Sequence, residues 1–345
     1  MTCPVKAVTV LEAKEVARVL EDHDGFVILS HREPDGDSVG SQLALCSVLR
    51  RLGKRAWAVG EDPMPAIYRF LEGSVRLELP SAVSDPQVFV VVDASNIGRV
   101  GGLEALKSCA ADILNIDHHG SNTGFGRWDY VDPEASACSE QVYWIVQELG
   151  VDLTDEEAAC LYVGLLTDTG AFRFPNTTSR CMKIAADLVD RGFSAAEVAR
   201  KVFWEKTLES TRLLGLALST LEVRCNGQIA IMHVSREMSR EARATSSDSD
   251  GFPLYTKVIA GVKVGLLFRE QDDGGVRVSL RSDSGVNVEK VARVFGGGGH
   301  PTSAGCVSPG TLENAKKDVV GEVERLLERE VRQLGKGNGR DSGSR

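Results

Sequence analysis

Residues 26–37, FVILSHREPDGD, decide the fold. Phe26–Ser30 is a short unbroken apolar run with the length of a buried strand. The acidic loop after it, bearing Pro34 and Gly36, leads into an apolar-periodic stretch over Ser38–Leu52 with helical spacing, and Arg55–Gly60 is strand-like again. The same grammar recurs downstream. VFVVV at Val88–Val92 ends in Asp93, and Ile113–Ile116 ends in Asp117, His118 and His119. Strands alternating with helices predict an α/β fold with a parallel sheet wrapped by helices on both faces, where ligands collect at the carboxyl ends of strands. The acidic and histidine motifs all sit at such ends.

Helical periodicity continues over Ala135–Leu149, Asp155–Thr167 and Ser179–Asp190, and a longer helical stretch, Glu205–Val223, reads as a connector. The pattern then turns to strands at Gln228–Val234, Val262–Glu270 and Val276–Arg281, the last two joined by the turn DDGG, followed by a short helix over Asn287–Phe295 and the loop GGGGH. The expected organisation is therefore an N-terminal domain over residues 1–190, a helical connector at 191–224, a smaller α/β domain at 225–332 and a disordered, glycine- and serine-rich tail at 333–345.

Composition narrows the function. The 345 residues exceed one ordinary core, and 42% apolar with 26% charged residues describes a globular chain. The N-terminus alternates apolar and charged residues where a signal peptide needs an uninterrupted apolar run, and no run reaches the length of a membrane span, so a cytoplasmic location and no membrane partner are expected. Eight cysteines stand singly without a CxxC pair, which predicts reduced thiols rather than disulfides or a zinc site. A net charge of −9 disfavours long polyanions: a nucleic-acid substrate should be short, and no binding of long duplex DNA is expected.

Four clusters carry the chemistry. His31, Asp35 and Asp37 surround one turn, and hard divalent cations prefer carboxylate oxygen, with imidazole shifting the preference towards manganese. Taken alone, PDGD is also an ordinary turn. Asp93 is either a helix cap or a ligand at the top of the sheet. Asp117, His118 and His119 form the third cluster. Asp168 closes LYVGLLTDTGAF, where a plain helix-end carboxylate is the competing reading. Three of the six histidines fall in these clusters and His300 lies in the glycine run, so coincidence is a poor account of the set.

Taken in order, HREPDGD, VVDAS, NIDHHGSN and GLLTDTGAFRF resemble the DHH phosphoesterases, and VSLRS followed by FGGGGHPTSAG resembles their DHHA1 domain. The resemblance spans residues 27–330, and the architecture is most similar to the nanoRNase/pAp phosphatase group. It implies an N-terminal DHH domain, a C-terminal α/β DHHA1 domain and a homodimer. It further implies two divalent cations, Mn2+ preferred with Mg2+ or Co2+ as substitutes. His31, Asp35 and Asp93 would hold one and Asp37, Asp93, His118 and Asp168 the other, with Asp93 as the bridge. Two cations about 3.5–4 Å apart neutralise a phosphate and acidify a shared water. His119 is then expected to protonate the leaving oxygen or bond the phosphate, oriented by Asp117.

Arg281 is the expected phosphate clamp, because guanidinium grips phosphate in a bidentate fork; a surface salt bridge is the competing reading. Gly297, Gly298 and Gly299 would bring backbone N–H groups to an anion, with His300 adding a donor. The expected activity is hydrolysis of short oligoribonucleotides, including pApA, to 5′-mononucleotides, with 3′-phosphate removal from pAp. A RecJ-like exonuclease and a catalytically silent nucleotide sensor are the alternatives. Leu254 and Tyr255 lie in a segment, DSDGFPLYTKVIAGVK, less typical of the family and open as to substrate preference.

Overall fold

A computed structural model describes residues 11–62, 64–71, 76–104, 109, 111–272, 274–283 and 285–337, which divide into two compact units at Glu205/Lys206. The first begins with helix α1 (Ala13–Asp22), strand β1 (Phe26–Leu29), helix α2 (Gly36–Arg51) and strand β2 (Ala56–Ala58). It continues through β3 (Val88–Val92), β4 (Asp112–Asp117), β5 (Trp128–Val131), α3 (Cys138–Glu148), α4 (Asp155–Asp168), α5 (Ser179–Val189) and α6 (Ala195–Ala199). The strands form one sheet in the order β2-β1-β3-β4-β5 with every neighbouring pair parallel.

Side chains alternate across this sheet, and the two faces are covered differently. Phe26, Ile28, Val88, Val90, Val92, Leu114 and Ile116 pack with α1 to α5 in the main core. Val27, Leu29, Phe89 and Val91 form a smaller core with Val59, Ala94 and Val100, which come from strand ends and loops. Among the described residues the helices therefore collect on one face, where the sequence predicted both; the β2–β3 and β3–β4 connections run as irregular segments with short 3-10 turns at Pro80–Ala82 and Ile97–Arg99.

The second unit contains α7 (Leu208–Ser219), β6 (Glu222–Arg224), β7 (Ile229–Val234), α8 (Arg236–Ala242), β8 (Val264–Glu270), β9 (Gly275–Ser282), α9 (Glu289–Val294), β10 (Gly298–His300), β11 (Ser303–Pro309) and α10 (Leu312–Gly337). Its six-stranded sheet runs β10-β11-β9-β8-β7-β6, antiparallel except for the β7–β8 pair. Ile229, Ile231, Val264, Leu266, Phe268, Val276, Val278 and Leu280 face a core shared with α9 and α10. Met232, Val234 and Leu267 face the opposite core with α7 and α8.

Three expectations change here. The connector is not one helix: α6 runs into a π-helical turn at Arg200–Trp204, α7 stops at Ser219, and residues 222–224 have joined the sheet by pairing with β7. GGGGH is not a free loop, because Gly298–His300 pairs with Ser303–Gly305 as an edge strand. The tail read as disordered from 333 begins inside α10, which continues to Gly337; residues 338–345 lie outside the described residues, as does the N-terminal stretch 1–10.

Candidate metal centre

The centre is assembled at the carboxyl ends of β1, β3 and β4. His31 lies two residues beyond β1 and is tied to Val100 by an isolated antiparallel bridge. Its Nδ1 is 2.7 Å from the Arg32 carbonyl, which only accepts, so Nδ1 donates and Nε2 is turned to the acids. Nε2 is 3.8 Å from Asp35 Oδ1 and 3.5 Å from Asp93 Oδ2. Asp35 is also the N-cap of α2, accepting from the Ser38 amide at 3.1 Å. The turn and ligand readings of PDGD are thus compatible.

Asp37 is wholly buried in the first turn of α2. Its two oxygens accept from the amides of Cys138 (2.6 Å) and Ser139 (2.9 Å), the first residues of α3, where unpaired N–H groups and the helix dipole favour an anion. Asp93 directly follows β3 with φ +56, a left-handed conformation that Asp tolerates better than most side chains. Ala171 and Phe172, just after Asp168, also have positive φ, at +58 and +59. Such strain gathers at working sites because the surrounding packing holds it there.

His118 is the hub of the second group. Its Nδ1 faces the Ala135 carbonyl at 3.3 Å, and its Nε2 is 3.3 Å from Asp168 Oδ2, 3.5 Å from Asp93 Oδ1 and 4.0 Å from Asp37 Oδ2. Asp93 thereby offers Oδ2 to His31 and Oδ1 to His118. His119 behaves differently: its Nδ1 donates to Asp117 Oδ1 at 2.6 Å, a direct hydrogen bond, while standing 3.6 Å from Asp93 Oδ1.

The electrostatics are those of a carboxylate cluster needing positive charge. Burial opposes charge on His31, yet the neighbouring carboxylates of Asp35 and Asp93 win and raise its pKa to about 11. Burial likewise opposes a charged His118, but Asp168 and Asp93 hold it well above the ordinary imidazole value. Asp37 is pushed up to about 6 by burial and by the charge of Asp93. Burial holds Asp168 well above the usual carboxylate range, whereas the adjacent imidazoles of His118 and His31 overcome burial at Asp93 and hold it well below.

The donor set fits divalent cations. Two ligands on one cation with bonds of about 2.0–2.3 Å lie roughly 3–3.5 Å apart. The imidazole–carboxylate separations of 3.3 and 3.5 Å match that spacing and are long for hydrogen bonds. His31–Asp35–Asp93, Asp37–His118–Asp168 and Asp93–His118–His119 each converge closely enough to hold an ion. Every residue of the four sequence clusters, Asp117 included, is thus brought to one place.

Arg281, Gly297, Gly298, Gly299 and His300 lie in the second unit. The alternation of β9 turns Arg277, Ser279 and Arg281 away from Val276, Val278 and Leu280. Arg281 is half-buried, donates to the Leu280 carbonyl at 2.9 Å, and is held down to about 10 by burial and by the like charge of Arg269. Two of the glycines have packing reasons. A Cβ on Gly297 would meet Cys306 Cβ at 2.6 Å, and one on Gly299 would meet Ala304 Cα at 2.7 Å, whereas Gly298 has open space.

Sequence reasoning passed over the residues that hold the centre from behind. Asn122 donates to Asp117 Oδ2 at 2.6 Å, and its place three residues after His119 in HHGSN was the available signal. Gly36 and Gly40, one helical turn apart on α2, let α4 approach: a Cβ on Gly36 would lie 2.5 Å from Thr167 Oγ1, and one on Gly40 would strike the Cys160 carbonyl.

The chain is similar to known proteins along most of its length. Residues 25–165 match the DHH family, N-terminal domain, and residues 226–329 match the DHHA1 domain. The chain is 35% identical over 317 residues to a Thermus thermophilus protein named bifunctional oligoribonuclease and PAP phosphatase NrnA, covering 91% of this chain and 94% of that one. A Bacillus subtilis protein of the same name is 29% identical over 296 residues, covering 84% and 91%. Among solved structures, an exopolyphosphatase-related protein from Bacteroides fragilis superposes with a TM-score of 0.86 at 26% identity, covering 92% of this chain and 97% of that one.

Proposed function

The chain belongs to the DHH family of phosphoesterases with a DHHA1 domain, and from that premise we propose that it hydrolyses short oligoribonucleotides, pApA among them, to 5′-mononucleotides and converts pAp to AMP and phosphate. The names of the Thermus and Bacillus relatives support this substrate class. The acidic balance of the chain supports short rather than long nucleic acids. The observation that carries the reading is the division of the Asp93 carboxylate, one oxygen towards His31 and the other towards His118 at 3.5 Å each. A carboxylate so divided suits a bridge between two cations.

His31, Asp35 and Asp93 would hold one cation and Asp37, Asp93, His118 and Asp168 the other, with manganese preferred and magnesium or cobalt as substitutes, since carboxylate suits hard cations and imidazole shifts the choice from magnesium towards manganese. Bound there, the pair supplies charge neutralisation of the phosphate and an acidified water for in-line attack. The protein's own residues do the rest. The amides of Cys138 and Ser139 fix Asp37. Asp117 fixes the His119 ring, and His119 gives a proton to the leaving oxygen, a step worth about 10²–10⁴-fold.

In the second unit, Arg281 clamps a substrate phosphate, supported by its burial and by the like charge of Arg269, which together lower the Arg281 pKa; a bound anion would offset that like charge, Arg269 itself facing Asp250 at 3.5 Å. Gly298, with room for close approach, and its neighbours Gly297, Gly299 and His300 line that phosphate site. We infer further that the protein acts in the cytoplasm as a homodimer. Among the described residues no helix is long and apolar enough to cross a membrane.

The test is a substrate panel. Purified protein with Mn2+ is mixed with pAp, pApA and a pentaribonucleotide, and products are separated by chromatography. AMP from the first two and mononucleotides from the third are expected; no product from any would leave a nucleotide sensor as the reading.

A further inference from the structure

Behind His119 runs a chain of polar groups that ends at Asp129 on β5, a residue outside the cation groups. Asp117 Oδ1 accepts from His119, and Asp117 Oδ2 accepts from Asn122 Nδ2 at 2.6 Å. Asn122 Oδ1 accepts from Asn115 Nδ2 at 3.1 Å and from the Gly124 amide at 2.8 Å. Asn115 Nδ2 also donates to Asp129 Oδ1 at 2.7 Å. Asn115 and Asp129 are direct partners across the β4–β5 register. Asn115 and Asp117 are fully buried and Asp129 is 1% exposed, so the Asn115–Asp129 link forms where water does not compete, while the links through Asn122 are part-buried.

The chemistry of the ends dictates the middle. A carboxylate accepts only, so each asparagine must turn its amide nitrogen to its own aspartate. Asn122 Oδ1 is then left facing Asn115 Nδ2, and the two amides agree. Flipping either one sets an oxygen against a buried carboxylate, which has the cost of an unsatisfied buried polar group. Asn122 Nδ2 also reaches the Ala94 carbonyl at 3.2 Å, which ties the loop after β4 to the residue following Asp93.

We propose that Asp129, Asn115 and Asn122 form a positioning relay that locks Asp117 as a pure acceptor and so fixes the ring plane of His119 with its Nδ1–H on Asp117, the second ring proton, on Nε2, being the one the leaving oxygen takes. The proposal rests on the role of His119 as proton donor stated above. None of the three residues belongs to the cation groups or touches the reacting atoms. They act through Asp117, and proton exchange with the leaving oxygen is assigned to His119 Nε2.

A swap separates this role from a merely structural one. In the full-length double variant Asn115→Asp/Asp129→Asn, the cross-strand pair is kept with donor and acceptor exchanged, the Gly126 amide loses the Asp129 Oδ1 that accepts from it at 3.1 Å, and the carboxylate now on β4 has no hydrogen to give Asn122. Asn122→Asp, at a half-buried position, is the second variant and sets an anion against Asp117. Each is assayed with pAp and Mn2+ for kcat, KM, bound manganese and melting temperature.

The relay predicts wild-type manganese content, KM within about twofold and kcat lower by about tenfold or more in both variants. Should the double variant fail to fold, Asn122→Asp alone decides. A kcat within twofold of wild type in the variants that fold overturns the relay. His119→Ala is run beside them: if it keeps wild-type kcat, the reading of His119 fails and takes the relay with it, whereas an inactive His119→Ala with fully active Asn variants overturns the relay alone.

Discussion

A Cβ placed on Gly164 would stand 2.5 Å from Asp37 Oδ1 and would overlap the Ser139 hydroxyl. Glycine at that point of α4 is what allows α2 to lie close enough for Asp37 and Asp168 to face one histidine. Gly164→Ala is expected to lower stability by about 1–3 kcal/mol through overpacking and to weaken manganese binding at the same time. Thermal melts with and without Mn2+ measure both. Gly215→Ala, in α7 with open space around it, is the control, and is expected to be neutral or to stabilise by roughly 0.4–1 kcal/mol.

The adjacent histidines should part company on substitution. His118 Nε2 faces Asp168 and Asp93 at cation-sharing distances, with Asp37 at 4.0 Å, whereas His119 is bonded to Asp117. His118→Ala is expected to lose bound manganese and activity together. His119→Ala is expected to keep manganese and lose about 10²–10⁴-fold in kcat. Metal analysis of the dialysed proteins with a pAp assay checks this; equal manganese loss from both sinks the division of labour.

Metal binding should be linked to protons. His31 is raised to about 11 by Asp35 and Asp93 despite burial, so it is charged through the neutral range and must lose its proton to bind a cation. Manganese affinity is therefore expected to rise with pH between 6.5 and 9, about tenfold per unit for each proton displaced. In the metal-free protein the sign is opposite. The pKa lies above its ordinary value of 6.5, so the stability His31 adds is fully present below that pH and fades as pH climbs towards 11. Calorimetric titrations at several pH values measure the first effect, and a flat affinity contradicts it.

What the sequence disclosed follows the strength of its periodic signals. Val88–Val92 was read to the residue because a run of β-branched and aromatic residues ending in Asp has no competing period. The short strand WDYV at Trp128–Val131 was missed, since four residues of mixed polarity between glycine and proline turns resemble a loop. β10 and β11 were hidden by their composition: Gly298–His300 and Ser303–Pro309 are rich in small residues, and tertiary pairing rather than propensity makes them strands. At the site, residues with strong chemical identity were legible. The supports were not, because the amides of Cys138 and Ser139 and the glycines of α2 and α4 act through backbone position, which side-chain types do not announce.

One cluster bridged by Asp93 is expected to perform both hydrolyses. The direct measurement compares wild type with Asp93→Asn, each supplied with Mn2+, on pAp and on pApA, with AMP quantified by chromatography. Wild type is expected to produce AMP from both substrates, and Asp93→Asn to lose both activities together along with bound manganese. A variant that retains either hydrolysis, or a wild-type protein that performs neither, contradicts the account.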